Sequence, residues 1–283
     1  MAPFELLVPA TPEEAMAALR TAGLNGAAVL AGGTDLLPDM DGGRLAPSRV
    51  VSLRRLPWRT LDWNGTTLTV GSTLSLRALE TDPELPGRLP GLHQAVQAVG
   101  GVALRHRATL GGNIVRSAPA SDLVPVLLAL DAEVDLVGPN GERRVPVDRF
   151  IRSSRKVDLA PGELVRSVRF PEARPSVYLW QRVRPANDIS QVAVALAYSP
   201  SGRAWRVAVG GVSPRPVLLT EAAAALGSGR PSPESVARAA RLAGEHATFV
   251  TDRRASEEFR RHLVRALLTR AVAAVVAQGG FRA

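Results

Sequence analysis

Residues Thr109 to Ala132 read TLGGNIVRSAPASDLVPVLLALDA. A tight glycine pair, an amide and a carboxylate stand there immediately before an apolar run. A second glycine loop lies upstream at Ala31 to Met40, AGGTDLLPDM, directly after a short apolar strand at Ala27–Leu30. Side-chain-free positions let backbone amides approach an anion closely, so the two loops predict a phosphate-bearing cofactor held by backbone rather than by a lysine. Neither loop has the dinucleotide fingerprint with its three spaced glycines or the lysine-bearing nucleotide loop, and both of those folds are set aside.

Each loop also has a plainer reading. Thr34 can add a hydroxyl donor and Asp35 can cap whatever begins at Leu36, so AGGTD is equally a turn before a capped helix. In the second loop Thr109, Gly111, Gly112 and Asn113 can serve a pyrophosphate, and Asp122 can accept from ribose hydroxyls. Ser121 and Asp122 can instead cap a helix starting near Leu123, with Pro125 in its first turn. Arg105, His106 and Arg107 precede this loop, either balancing phosphate charge or forming a solvated edge.

The composition narrows the chemistry. The chain has 283 residues, 46% of them hydrophobic, enough to bury a substantial core over two or so domains. It has no cysteine, which removes disulfides, thiol nucleophiles and iron–sulfur ligation within this chain. The histidines, His93, His106, His246 and His262, are scattered and give no metal-ligand spacing. A formal charge of +9 raises nucleic acid, but Lys156 is the only lysine, the arginines do not cluster strongly, and 4% aromatics leave little for base stacking. No nucleic-acid partner is expected. There is no run of about 20 apolar residues and no signal-peptide pattern at the N-terminus, so no membrane span and a cytoplasmic location are expected.

Along the chain, Thr11–Ala22 carries a threonine cap, proline at the first helical position and early acidic residues, with Gly23 as its stop. Strands are expected at Val50–Leu53 and, after the Asn64-Gly65 turn, at Thr67–Val70. Helical spacing marks Leu74–Leu79 and Leu92–Val99, and Val124–Leu130 continues as an apolar stretch. Glu133–Val137 reads as a strand turned at Pro139-Asn140-Gly141. Phe170–Pro175 is the best domain boundary. Ser176–Val183, Gln191–Tyr198 and Trp205–Val209 follow as strands, then helices at Pro233–Gly244 and Ala255–Gln278, the last with Phe259, Leu263 and Leu267 on its apolar face. The pattern predicts an α+β protein with a separate C-terminal lobe rather than one doubly wound sheet.

The pair AGGTDLLPDM and RHRATLGGNIVRSAPASDLVPVLLALDAEV resembles the FAD-binding, or medium, subunit of the molybdenum hydroxylases, the group with xanthine dehydrogenase and aerobic carbon monoxide dehydrogenase. The likeness continues in order through VVSLRRLP at Val50, LTVGSTLSLRALE at Leu68, PGELVRSVRFP at Pro161, DISQVAVAL at Asp188, VGGVSPRPVLL at Val209 and FRRHLVRALLTRA at Phe259. It implies a two-lobed FAD-binding domain of the vanillyl-alcohol oxidase-like type over residues 1–173, with lobes of about 1–56 and 57–173. A smaller C-terminal α+β domain would occupy 174–283.

The same resemblance implies that Val29, Leu30, Ala31, Gly32, Gly33, Thr34, Asp35 and Leu36 wrap the FAD pyrophosphate, with Thr109, Gly112 and Asn113 completing the cradle. Asp122, beside Ser121, would hold the ribose, and Val99, Leu164 and Val165 would pack on the cofactor. Many relatives carry a lysine near the flavin, where this chain reads YLWQRVRPANDIS. Arg182 is the physically attractive substitute for stabilising reduced flavin, or else an exposed strand residue; Tyr178 or Trp180 would cover a flavin face or simply pack. The resemblance further implies an iron–sulfur subunit and a molybdenum-cofactor subunit as partners, with electrons passing through FAD to an external acceptor. A self-contained flavin reductase or oxidase of the same fold, or a non-enzymatic basic scaffold, are the alternatives.

Overall fold

The computed structural model describes residues 1–21, 26–184 and 187–279. Ala22 and Gly23, read as the end of the first helix, lie outside the described residues. The chain opens with β1 (Glu5–Leu7), α1 (Pro12–Thr21), β2 (Ala27–Leu30), α2 (Leu36–Asp41) and β3 (Arg49–Ser52). The strands form a parallel sheet in the order β1-β3-β2. Thr11 and Glu14 start α1 reciprocally, since Thr11 Oγ1 accepts from the Glu14 amide and Glu14 Oε2 from the Ala10 amide. Asp35 occupies the N-cap of α2 but makes no capping bond. Its carboxylate is turned to Arg116 instead, 3.3 Å from Nε.

The second lobe continues with β4 (Leu61–Asn64), β5 (Thr67–Gly71), α3 (Leu76–Glu80), α4 (Leu85–Arg88), α5 (Pro90–Ala98), α6 (Val102–Arg105), α7 (Leu110–Arg116) and α8 (Leu123–Ala129). It closes with β6 (Glu133–Gly138), β7 (Gly141–Pro146), α9 (Val147–Phe150), β8 (Ile151–Ser153), β9 (Lys156–Val157) and β10 (Leu164–Phe170). An antiparallel sheet runs β4-β5-β10-β6-β7, and β8 and β9 form a separate hairpin. The glycine pair of the opening motif lies within α7, not in a turn. Gly111 is required there by packing: a Cβ on it would stand 2.6 Å from the Ser72 Cβ.

The C-terminal part contains β11 (Ser176–Gln181), β12 (Val192–Ser199), β13 (Ala204–Gly210), β14 (Val217–Leu218), α10 (Thr220–Ala225), α11 (Pro233–His246) and α12 (Glu257–Gln278). The strands form an antiparallel sheet in chain order. Both faces of β12 are buried. Ala193, Ala195 and Ala197 join the core of the second lobe, while Val192, Val194, Leu196 and Tyr198 join the core beneath α12. Alternation of small and large side chains lets helices approach one face closely and fills the other.

Ser256 caps α12 by accepting from the Phe259 amide. The buried face of this helix runs through Arg260, Val264, Leu267, Leu268, Ala271, Val272 and Val275. Phe259, expected on that face, is 44% exposed, because the stripe is rotated by about one position toward Arg260. Arg260 is drawn inward by acceptors: Nη1 donates to the carbonyls of Gln191 and Gly211, and Nη2 reaches Asp252 at 2.6 Å. No helix among the described residues is long and apolar enough to cross a membrane.

Candidate functional site

A cleft of about 500 Å³ runs between the two lobes of the N-terminal part. Its walls come from the loop between β2 and α2, from α7, and from the start of β10. Val29, Ala31, Gly32, Gly33, Thr34, Asp35 and Leu36 line it from one side, and Thr109, Gly112 and Asn113 from the other. Val99, Leu164 and Val165 supply apolar wall. The structure therefore gathers into one cavity most residues that the two glycine motifs nominated.

The two loops meet backbone to backbone. A Cβ on Gly32 would stand 2.0 Å from the Arg107 carbonyl oxygen, so only glycine allows this contact. Gly33 adopts φ +79°, a region that L side chains rarely enter. With the chain turned this way, the amides of Gly33, Thr34, Asp35 and Leu36 find no acceptor among the described residues. A row of unspent donors beside a cavity fits an anion. Opposite, Ser121 Oγ donates to Asn113 Oδ1 at 2.8 Å, which orients the Asn113 amide and leaves Nδ2 to donate into the cleft. Thr109 Oγ1 accepts from the Gly112 amide as the N-cap of α7, so this hydroxyl acts first on its own helix. The donor set, the close backbone approach and the apolar wall fit a pyrophosphate bearing flat ring systems.

Leu30, Ser121, Asp122 and Arg182 do not line the cleft. Ser121 is the second support behind Asn113 and also accepts from the Val124 amide at 3.4 Å, the capping role that Asp122 leaves unfilled. Asp122 is clasped: its Oδ1 accepts from Tyr178 Oη at 2.6 Å, from Arg182 Nη2 at 2.9 Å and from Ser190 Oγ at 2.9 Å. Burial pushes the Asp122 carboxyl above the usual carboxylate range, against the Tyr178 hydrogen bond and the Arg182 charge. Arg182 is no exposed strand residue, since its side chain is 6% exposed. It also donates to the Ala98 carbonyl at 2.9 Å, next to the cleft residue Val99. Tyr178 is fully buried and stacks on Trp180, with ring centroids 5.4 Å apart.

Other charged residues shape the site through their own pairs, and two of them, Asp39 and Arg116, also line the cleft. Arg105 is buried, pairs through two nitrogens with Glu80, and donates to the carbonyls of Gln97, Val99 and Gly100. It sets the turn that presents Val99 and is neither a phosphate ligand nor a solvated edge. Asp39, also buried, accepts from Arg44 Nε at 2.7 Å and from Arg116 Nη1 at 2.7 Å. The Arg44 hydrogen bond, with those of Arg116, holds the Asp39 carboxyl below the usual range. Arg116 thus ties the C-terminal end of α7 to α2, the helix after the first glycine loop. Nothing in the local sequence distinguishes Arg116 from the other arginines; only the fold reveals it.

Residues 2–173 match the FAD binding domain in molybdopterin dehydrogenase, and residues 178–275 match the CO dehydrogenase flavoprotein C-terminal domain. The carbon monoxide dehydrogenase medium chain of Hydrogenophaga pseudoflava is 30% identical over 217 residues, covering 75% of each chain. The xanthine dehydrogenase FAD-binding subunit of Escherichia coli O157:H7 is 28% identical over 264 residues, covering 90% of each. Among solved structures, a chain of the Hydrogenophaga pseudoflava carbon monoxide dehydrogenase superposes with a TM-score of 0.89 at 28% identity, covering 98% of both chains.

Proposed function

The chain belongs to the FAD-binding flavoprotein subunits of the molybdopterin dehydrogenases, and from this premise we propose that it carries electrons between an iron–sulfur subunit and an external acceptor. A molybdenum-cofactor subunit would oxidise the organic substrate, and the cytoplasm is the compartment this reading assigns. FAD supplies the redox chemistry when bound. The chain's own residues bind and orient it: the amides of Gly33 to Leu36 and Asn113 Nδ2 hold the pyrophosphate, and Val99, Leu164 and Val165 exclude water from the ring systems. Asp122 acts from behind, through Tyr178, Ser190 and Arg182, on the segment that presents Val99.

The observation that carries this reading is the row of unspent amides facing Asn113 across the cleft. The absence of cysteine supports the division of labour, since any cluster must be bound elsewhere. Co-expression with candidate iron–sulfur and molybdenum subunits, followed by affinity purification of this chain, tests it. A yellow complex whose flavin is bleached by substrate is expected. A colourless chain that cannot be reconstituted with FAD, or one that turns over a substrate alone, overturns the proposal.

A further inference from the structure

Two arginines among the described residues line the cleft, Arg116 and Arg155. Arg116 is spent on Asp39 and Asp35. The buried lining carboxylate Asp39 is shared with Arg44, and Glu163 is matched by Arg143 at 2.7 Å. Of the two arginines, Arg155, which is exposed, has no carboxylate or carbonyl accepting from its guanidinium among the described residues. A charge left unmatched on the wall of an otherwise neutralised cavity is available to what enters it.

The backbone places this residue deliberately. Arg155 sits at the tip of the β8–β9 hairpin with φ +56°, a left-handed conformation uncommon for a residue with a side chain. Its amide donates to the Ser117 carbonyl at 3.0 Å, and Ser117 Oγ donates to the Ser153 carbonyl at 3.3 Å. Ser117 is itself left-handed at φ +45° and buried, where it ends α7. The hairpin tip is therefore pinned to the C-terminal end of the helix whose first turn carries Gly111 and Gly112.

Seven helical residues separate the two ends by about 10 Å. Asn113 is the middle residue of α7; Val99 precedes the helix in the chain, its carbonyl held by Arg105 and its neighbour Ala98 by Arg182, whereas Arg155 stands at the C-terminal end. A dinucleotide with its pyrophosphate on the glycine loops and its flavin toward Val99 extends its adenosine half toward Arg155. We propose that Arg155 clasps that adenosine half, its planar guanidinium against the purine, and makes the cleft select FAD over FMN. The inference rests on the FAD reading above.

The test uses the full chain, stripped of flavin and titrated with FAD and with FMN by fluorescence quenching. Arg155→Gln and Arg155→Lys both keep a side chain at the left-handed position, and melting of the flavin-free proteins checks that each folds. The expected result for Arg155→Gln is an FAD affinity lower by about 3- to 30-fold, with FMN binding unchanged. Arg155→Lys restores little, because it keeps the charge but loses the plane. Equal loss for FAD and FMN, full rescue by lysine, or no loss at all overturns the inference while leaving the FAD reading intact. A wild-type chain that takes up neither flavin sinks both.

Discussion

Arg182 Nη2 meets Asp122 Oδ1 at 2.9 Å across the join between the second lobe and the C-terminal sheet, and both side chains are nearly out of water. The residue nominated as a cation for the flavin therefore has its charge already matched. Removing one partner leaves the other buried and unpaired, so Asp122→Ala is expected to cost about 3–5 kcal/mol. Denaturant unfolding measures this, and the Asp122→Ala, Arg182→Met double variant is expected to lose much less than the sum of the singles.

The tie from Arg116 to Asp39 predicts a loss of flavin affinity out of proportion to stability. Arg116→Met frees α2 from α7 and leaves Asp39 with Arg44 alone, so FAD binding is expected to weaken by about tenfold, while Arg116→Lys recovers part of it. Titration of the flavin-free variants alongside thermal melts separates the two effects.

Acid affects the two buried carboxylates in opposite directions. Asp39 has its folded pKa lowered by Arg44 and Arg116, so its contribution is present above the unfolded value of about 4 and is lost as pH falls through the folded value. Asp122 has its folded pKa raised by burial, so the proton-linked part of its contribution is full below about 4 and is lost as pH rises through the folded value, while its bonds to Tyr178, Arg182 and Ser190 remain. Stability differences from wild type, measured between neutral pH and pH 3, are expected to shrink for Asp39→Asn on acidification and to grow for Asp122→Asn.

The glycines divide by what surrounds them. Gly32→Ala and Gly111→Ala each force backbone apart, at the Arg107 carbonyl and at Ser72, and are expected to cost about 1–3 kcal/mol or more together with FAD binding. Gly65, at φ +57° with nothing within 4 Å, is expected to accept asparagine with little loss. Paired melts and flavin titrations of the three variants check the contrast.

Periodicity and turn chemistry made much of this fold legible. Ala27–Leu30 is the strand expected, and the hairpin at Asn64-Gly65 pairs Asn64 with Thr67. The helix α7 was not legible, because two glycines in its first turn depress helix propensity and the compensating contact with Ser72 is made across the fold. Strand β10 gave no local signal either: its ladder partners lie on β5 and β6, far away in sequence. In the site, the glycine loops announce themselves by composition. Arg116 and Arg155 do not, since in a chain so rich in arginine their role is set by what they do or do not pair with.

Strand β12 has no solvent face, since its alanines belong to one core and its larger residues to the other. A proteolytic cut near residue 173 therefore releases no viable fragment, because the N-terminal piece would bare the helices that Ala193, Ala195 and Ala197 cover. Amide hydrogens along β12 should exchange only when the entire molecule opens. The boundary between the two matched families marks a seam in sequence but not in folding cooperativity, and neither half is expected to be inherited or expressed without the other.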